Sequence, residues 1–165
     1  MKPLYHFRSK DARYGLTLPG NAVRHMLEEA VKADGTETGG LLIGLYNDAL
    51  DTAMVTRTAS PPADSVRTRT TFWRGVAGVQ EMLQHLWTRS VRTFYLGEWH
   101  VHPGFSAQKS RTDDETMDSE SLKQAFHCAV PVLVILGGDP ASTWHLRAWV
   151  YPNRGTPIPL LELNV

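Results

Sequence analysis

Apolar and polar residues follow two different periods along this chain, and their order predicts a protein that mixes helices with strands. The first helix is predicted to begin at Asn21 as its N-cap and to end near Gly35, because apolar residues recur there at spacings of three and four. Two more helices are predicted over residues 75–90 and 112–125. Short apolar runs predict strands over residues 39–46, 52–59, 66–73, 94–102, 132–136 and 144–151, and the tail 157–165 is predicted to add an edge strand.

The order of these elements indicates an α+β (mixed α/β) fold or a three-layered α/β fold, in which helices flank a curved mixed sheet. A length of 165 residues is typical of one domain, and the sequence contains no internal repeat, linker or low-complexity tract. We therefore predict a single domain over residues 1–165.

The composition is that of an ordinary soluble protein, with 42% hydrophobic residues and a formal net charge of zero. Because no excess of basic residues is available to bind phosphates, no nucleic-acid partner is expected. The sequence also lacks the apolar runs of a signal peptide or a membrane span, so no membrane partner is expected. Cys128 is the only cysteine, which excludes an intramolecular disulfide and favours a reducing compartment, the cytoplasm.

The candidate chemistry lies between Gly97 and Asp113. His100 and His102 end a buried strand at positions i and i+2, so their imidazoles point to the same face. The strand stops at Pro103, and Asp113 in the first turn of the third predicted helix can return a carboxylate to the same point. Two imidazoles and one carboxylate leave a tetrahedral zinc ion with one open position for water, which is the pattern of catalytic rather than structural sites.

Two further residues complete a longer motif. Ser110 precedes Asp113 by three positions, and Glu37 lies upstream, just before the glycine-rich apolar run 39–44. A glutamate, then His-x-His-Pro, then a serine and an aspartate at these spacings resembles the JAMM motif of the JAB1/MPN/Mov34 metalloprotease family. The resemblance covers most of the chain and implies a cytidine-deaminase-like JAMM/MPN fold with zinc-dependent peptidase activity.

The resemblance also implies a role for each motif residue. Glu37 would be the general base, and Ser110 would stabilise the oxyanion that forms during hydrolysis. His100, His102 and Asp113 would hold one zinc ion per chain. The Ser-x-x-acid pattern at residues 110–113 is in addition that of a helix capping box, which would hold Asp113 rigid.

Glu98 competes with Glu37 for the role of base, because alternation along the strand places it on the same face as the two histidines. We favour another role, either as the partner that orients a ligand histidine or as a group that faces the substrate, since ligand histidines commonly need such a partner. Trp99 and Val101 point the opposite way and are predicted to lie in the core.

The segment Tyr95–Pro103 is similar to a bacterial branch of the family, whose genes lie beside homologues of ubiquitin-activating and ubiquitin-conjugating enzymes, some of them in antiphage defence operons. This resemblance implies an isopeptidase that acts on a ubiquitin-like modifier or a conjugated target protein, with those enzyme homologues as partners. A peptidase that matures a ubiquitin-like or sulfur-carrier protein, and a non-catalytic MPN scaffold, remain as alternatives. An amidohydrolase barrel needs about 250 residues and is excluded by length.

We predict that the C-terminal tail of the modifier pairs with a strand edge at residues 66–73, since extended tails bind readily by strand addition. Arg74 is expected to join nearby arginines in facing an acidic surface of the modifier, and the loop 103–109 is expected to add specificity. The candidate groove residues are Arg67, Arg69, Phe72, Trp73 and Phe105.

Overall fold

A computed structural model describes residues 1–152 and 156–164 of the protein. Within these residues the chain forms ten strands and four helices. The strands are β1 (Leu4–Ser9), β2 (Gly15–Pro19), β3 (Thr38–Tyr46), β4 (Thr52–Thr58), β5 (Val66–Arg67), β6 (Phe72–Trp73), β7 (Phe94–Pro103), β8 (Val132–Gly138), β9 (Trp144–Val150) and β10 (Ile158–Glu162). The helices are α1 (Gly20–Lys32), α2 (Val79–Trp87), α3 (Arg111–Met117) and α4 (Glu120–Ala125).

The strands and helices confirm the mixed α/β class, but the main sheet is closed into a barrel where the sequence predicts a curved mixed sheet. Within the described residues, eight strands form a barrel in the order β1-β10-β9-β8-β7-β3-β4-β2. The hairpin β1–β2 is not predicted from the sequence, because its strands are short and polar residues alternate with the apolar ones. This hairpin closes the barrel, because β1 pairs with β10 and β2 pairs in parallel with β4. For the same reason β10 is not an edge strand: it pairs with β9 on its other side.

The barrel interior is apolar and is covered at one side by α1. Val23 and Met26 of α1 are fully buried, which confirms the predicted apolar stripe of this helix. The predicted cap is wrong: α1 begins at Gly20, and Pro19 occupies the N-cap position with no side-chain hydrogen bond. The helix ends at Lys32, three residues before Gly35.

The region predicted as one helix over residues 112–125 consists of α3 and α4, with a break at Asp118 and Ser119. The hydroxyl of Ser119 accepts a hydrogen bond from the backbone N–H of Leu122 at 3.1 Å and caps α4. Serine side chains compete for backbone donors in this way, which favours a new helix start over a continuous helix.

The segment 66–73 is a hairpin rather than a single strand. β5 and β6 have two residues each and pair antiparallel, and the N–H of Thr68 donates to the carbonyl of Thr71 at 2.8 Å to close the turn. Arginine and threonine alternate over residues 67–70, as they could in a strand. The Thr68–Thr71 hydrogen bond instead turns the chain at this point. We refer to residues 66–73 as the 66–73 hairpin.

The second helix is shorter than predicted, because the carboxylate of Asp64 holds the preceding residues in a turn. It accepts hydrogen bonds from the N–H groups of Val76 at 3.0 Å and Ala77 at 2.9 Å, and α2 begins only at Val79. Among the described residues, no helix combines the length and the apolar character that crossing a membrane requires.

Candidate active site

Strand β7 carries the two histidines in the middle of the barrel wall, between β3 and β8. Both His100 and His102 are buried, and their side chains lie on the outer face of the barrel. Trp99 and Val101 are fully buried in the interior, which confirms the predicted alternation. Gly39 of β3 lies opposite His100, and a Cβ there would stand 2.8 Å from the imidazole Cδ2 and 2.4 Å from the Trp99 carbonyl oxygen. Glycine in this strand therefore makes room for the His100 ring.

A β-bulge in β7 changes which side chains share the face of the histidines. Leu42 pairs with Gly97 but Ile43 pairs with Tyr95, so one extra residue is accommodated between them. Gly97 has a φ of 152°, and a Cβ at this position would lie 1.8 Å from the carbonyl oxygen of Val132. As a result Tyr95 points outward beside Glu98, although simple alternation would place it on the opposite face.

Asp113 is fixed at the start of α3 by a capping box, as predicted. The hydroxyl of Ser110 accepts a hydrogen bond from the N–H of Asp113 at 3.1 Å. In return, Asp113 Oδ2 accepts hydrogen bonds from the Ser110 N–H at 2.6 Å and from the Ser110 hydroxyl at 2.8 Å. The carboxylate is thus held in place by two hydrogen bonds from Ser110.

His100, His102 and Asp113 converge on one point. One donor atom from each lies within 4.8 Å of the others. Asp113 Oδ1 is 2.8 Å from His100 Nδ1, and Asp113 Oδ2 is 3.8 Å from His102 Nε2. Two imidazoles and a carboxylate, all buried and within reach of one ion, fit a metal site.

Burial and the neighbouring charges both shift the pKa values of His100, His102 and Asp113. Burial alone lowers the pKa of His100, but the hydrogen bond to the Asp113 carboxylate and the nearby Glu98 carboxylate raise it to about 9. Burial has the opposite effect on Asp113 and raises its pKa, but the hydrogen bonds from His100 and Ser110 bring that pKa below its ordinary value. The pKa of His102 is lowered, mainly by burial.

Glu37 lies just before β3 at the rim of this cluster. Its Oε1 is 4.0 Å from His102 Nε2, and its side chain is 14% exposed, so it can meet a molecule that enters from solvent. Its backbone N–H donates to the carbonyl of Thr68 at 2.8 Å. Burial, and then the charge of Asp113, raise the pKa of Glu37 to about 7. A carboxyl group with this pKa can take up and release a proton near neutral pH.

Glu98 is fully buried and is already paired. Its Oε1 accepts a hydrogen bond from Arg74 Nε at 2.7 Å, and its Oε2 lies 3.5 Å from His100 Nε2. Although burial raises the pKa of Glu98, its interactions with His100 and Arg74 lower it overall. The prediction that Arg74 faces a partner protein is wrong, because its side chain is only 10% exposed and is bound to Glu98.

The predicted groove residues divide into two groups. Arg67 and Arg69 of the 66–73 hairpin are exposed, and so are Trp73 (55%) and Phe105 (58%). Phe72 is buried, and it lines the small pocket that also contains His100 and Asp113. Its ring packs edge-on against His100, with 5.4 Å between the centroids, so it supports the histidine from the hairpin side.

His145 lies beside the site, although no spacing in the sequence marks it as a site residue. His145 on β9 is paired with Gly137 on β8, which is paired with His102 on β7, so the two histidines occupy the same row of the sheet. The Nε2 of His145 accepts a hydrogen bond from the N–H of Ala107 at 3.0 Å and holds the loop that follows the strand bearing His100 and His102. Only the strand register could have indicated this role.

Comparisons with known proteins agree with the motif. Residues 19–151 match a family of prokaryotic homologs of the JAB domain. The chain is 41% identical over 159 residues to a CD-NTase/cGAS isopeptidase of Enterobacter hormaechei subsp. hoffmannii, covering 96% of this chain and 87% of the relative. It is 29% identical over 135 residues to a probable metalloprotease of Sinorhizobium fredii, covering 81% of each chain.

The fold also has a counterpart among solved structures. The solution structure of a Desulfitobacterium hafniense protein superimposes with a TM-score of 0.54 at 20% identity, over 87% of this chain and 86% of the other. At this identity the likeness concerns the fold alone.

Proposed function

Because the chain belongs to the family of prokaryotic homologs of the JAB domain, we propose that it is a zinc-dependent isopeptidase of the JAMM type. The observation that carries this proposal is the convergence of His100, His102 and Asp113 within 4.8 Å, with Glu37 at the rim of the same cluster. The 41% identity to a protein named as an isopeptidase supports the same reaction class. Residues 1–165 would act as one domain.

The donor set favours zinc as the metal. Histidine nitrogens and a carboxylate oxygen are common zinc ligands, and three protein ligands leave a position for water or substrate. A zinc ion held by His100, His102 and Asp113 would polarise the scissile carbonyl and make water acidic enough to act as a nucleophile near neutral pH.

Glu37 acts as the general base in this proposal. It accepts a proton from the attacking water and passes it to the nitrogen that leaves, so no covalent intermediate with the protein is needed. Its position at the rim and its pKa of about 7 support this role. Glu98 is a poorer candidate, because it is 1% exposed and one of its oxygens is bound to Arg74.

Ser110 has two tasks in this proposal. Its backbone N–H holds Asp113 Oδ2 at 2.6 Å, while its hydroxyl can turn from the same oxygen, 2.8 Å away, to donate to the developing oxyanion. The backbone bond then keeps the ligand in place while the hydroxyl serves the reaction. Donors aimed at a developing oxyanion typically account for two to three orders of magnitude in rate, about 10²–10³.

The substrate is proposed to be a conjugate formed by a bacterial ubiquitin-transfer-like system. The similar Enterobacter protein is named for a CD-NTase/cGAS, and we transfer that substrate class: the scissile bond follows the C-terminal tail of a CD-NTase-like protein or of a ubiquitin-like modifier. Homologues of ubiquitin-activating and ubiquitin-conjugating enzymes would be its partners, in the cytoplasm and within antiphage defence.

The 66–73 hairpin is the proposed binding place for that tail. It is held against Glu37 by the Thr68 carbonyl and against His100 by Phe72, so an added strand would run beside the metal cluster. The exposed side chains of Arg67, Arg69, Trp73 and Phe105 would contact the substrate.

The test uses a conjugate made by the neighbouring conjugation enzymes from a CD-NTase-like protein. Wild-type protein loaded with zinc should release the free protein with an intact C-terminus, and the Glu37→Gln variant and chelator-treated protein should not. A matched substrate with its last tail residues scrambled should be cut poorly. Equal cleavage of both substrates, or cleavage of unrelated short peptides only, would show a general metallopeptidase instead.

A further inference from the structure

The ion pair between Arg74 and Glu98 joins the 66–73 hairpin to the metal-ligand strand. Arg74 follows β6 directly, and its Nε donates to Glu98 Oε1 at 2.7 Å. A second guanidinium nitrogen donates to the carbonyl of Gly75 at 2.7 Å, and the guanidinium lies 5.2 Å from the centre of the Phe126 ring. With side-chain exposures of 10% and 1%, both partners are withdrawn from water.

The other oxygen of Glu98 faces a metal ligand. Glu98 Oε2 is buried and forms no hydrogen bond within the described part of the chain, and it lies 3.5 Å from His100 Nε2. The second nitrogen of the same ring, Nδ1, lies 2.8 Å from Asp113 Oδ1. His100 is therefore placed between two carboxylates, one of them a metal-ligand candidate and the other anchored by Arg74.

We propose that Arg74 is a positioning residue, which acts through Glu98 to fix the ring of His100 for metal binding. The inference rests on the metal site of the proposed function. Ligand histidines usually donate their second N–H to a carboxylate, a backbone carbonyl or a water molecule, and this partner fixes the orientation of the ring. A carboxylate can do so only if it is itself held in place. Arg74 provides this hold, because its planar guanidinium binds Glu98 and the Gly75 carbonyl together.

The same contacts couple the hairpin to the metal site. Phe72 packs edge-on with the His100 ring, and Arg74 reaches the Nε2 atom of the same ring through Glu98. Residues 72–74 thus restrain the orientation of the His100 ring in two ways, by packing and through Glu98. Because the hairpin also carries the proposed substrate contacts, metal-ligand geometry and substrate binding share one support.

The experiment measures zinc affinity by competition with a chelator of known affinity. The variants are Arg74→Met, Glu98→Gln and the double variant, with Arg69→Met as the matched control, since Arg69 lies on the same hairpin and is exposed. Arg74→Met and Glu98→Gln should each weaken zinc binding by roughly 10- to 100-fold, the range measured for such partners. The double variant should bind zinc as Glu98→Gln does, and Arg69→Met should bind as wild type.

A second readout separates positioning from folding. Circular dichroism and thermal unfolding of the chelator-treated variants report the fold, and the absorption spectrum of the cobalt-substituted protein reports the ligand geometry. If Arg74→Met does not fold, the double variant, which leaves no unpaired buried carboxylate, and Arg74→Lys, which keeps the charge, supply the comparison. Arg74→Lys should show an intermediate loss of affinity.

Two outcomes in the variants and one in the wild type would overturn the inference. Wild-type zinc affinity and an unchanged cobalt spectrum in Arg74→Met would show that Arg74 supports only the fold. A double variant much weaker than Glu98→Gln would show that Arg74 does not act through Glu98. A wild-type protein that binds zinc but is inactive on every conjugate would refute the proposed function and leave this inference intact, whereas failure of the wild type to bind zinc would refute both.

Discussion

The backbone N–H of Glu37 donates to the carbonyl of Thr68 at 2.8 Å, so the candidate base is tied to the 66–73 hairpin. The bond joins two segments more than thirty positions apart in the sequence, while the Glu37 side chain faces the cluster of His100, His102 and Asp113. It makes the position of the base depend on a closed hairpin turn.

Thr68→Pro should therefore lower activity without removing the metal. Proline lacks the N–H that closes the turn to Thr71 at 2.8 Å, and a loosened hairpin would misplace Glu37. We expect kcat/KM to fall by roughly 10- to 100-fold, because small errors in the position of a catalytic group are costly. Steady-state kinetics on zinc-saturated protein measure this. Thr70→Ala keeps the same backbone bonds and should remain active; equal losses in both variants would contradict the argument.

Purified protein should carry about one zinc ion per chain, because three protein ligands converge at one point. A His100→Ala, His102→Ala double variant should lose it, as elemental analysis after gel filtration can show. His6→Ala, His85→Ala is the control, since neither histidine lies near the cluster. Zinc retained at full occupancy and affinity in the first variant would place the metal elsewhere.

Glu37→Gln should abolish turnover while zinc stays bound, since the base contacts the water and not the ion. General-base catalysis typically contributes about 10²–10⁴ in rate, so a loss of that order is expected. Glu98→Gln, assayed at saturating zinc, should keep far more activity. If the Glu98 variant is inactive and the Glu37 variant is active, the base has been assigned to the wrong residue.

The raised pKa of Glu37 predicts that the folding stability of chelator-treated protein decreases as the pH rises. Burial raises this pKa from 4.5 to about 7, so the folded state binds more protons than the unfolded state between these values. The stability due to neutral Glu37 is complete below pH 4.5 and is lost as the pH rises to about 7. At pH 8 the Glu37→Gln variant should thus melt several degrees above wild type. At pH 5 the difference between the two melting temperatures should be much smaller. Equal gaps at both pH values would contradict the prediction.

The sequence predicts the parts of the site that depend on local spacing. His100 and His102 are two residues apart on one strand, and Ser110 and Asp113 are three apart at a helix start, so their relation follows from strand and helix geometry. Glu37 could be included only through the family motif, because 63 positions separate it from His100.

Other features depend on long-range pairing that single-sequence patterns do not encode. The sequence predicts that Arg74 faces an acidic surface of the modifier, but the side chain is turned inward to Glu98. The bulge at Gly97, which brings Tyr95 beside Glu98, is defined by the register with β3. Closure of the barrel likewise follows from the pairing of β1 with β10, which are near opposite ends of the chain.

Ser110 can be tested for a catalytic role apart from its capping role. Ser110→Ala removes the hydroxyl that accepts from the Asp113 N–H at 3.1 Å, and loss of such a cap costs about 1 kcal/mol of stability. Ser110→Gly removes the same hydroxyl at a cost of only a few tenths of a kcal/mol, because glycine is tolerated at the N-cap. Both variants keep the backbone N–H that holds Asp113 Oδ2.

If the Ser110 hydroxyl stabilises the oxyanion, both variants should lose kcat by a similar factor, about 10²–10³, despite their different melting temperatures. Zinc affinity should change much less than kcat in each. Ser110→Thr restores a hydroxyl and should recover part of the rate. If instead the loss of activity follows the loss of stability, with Ser110→Gly nearly as active as wild type, the serine serves only to cap α3 and the oxyanion must be stabilised by the metal alone.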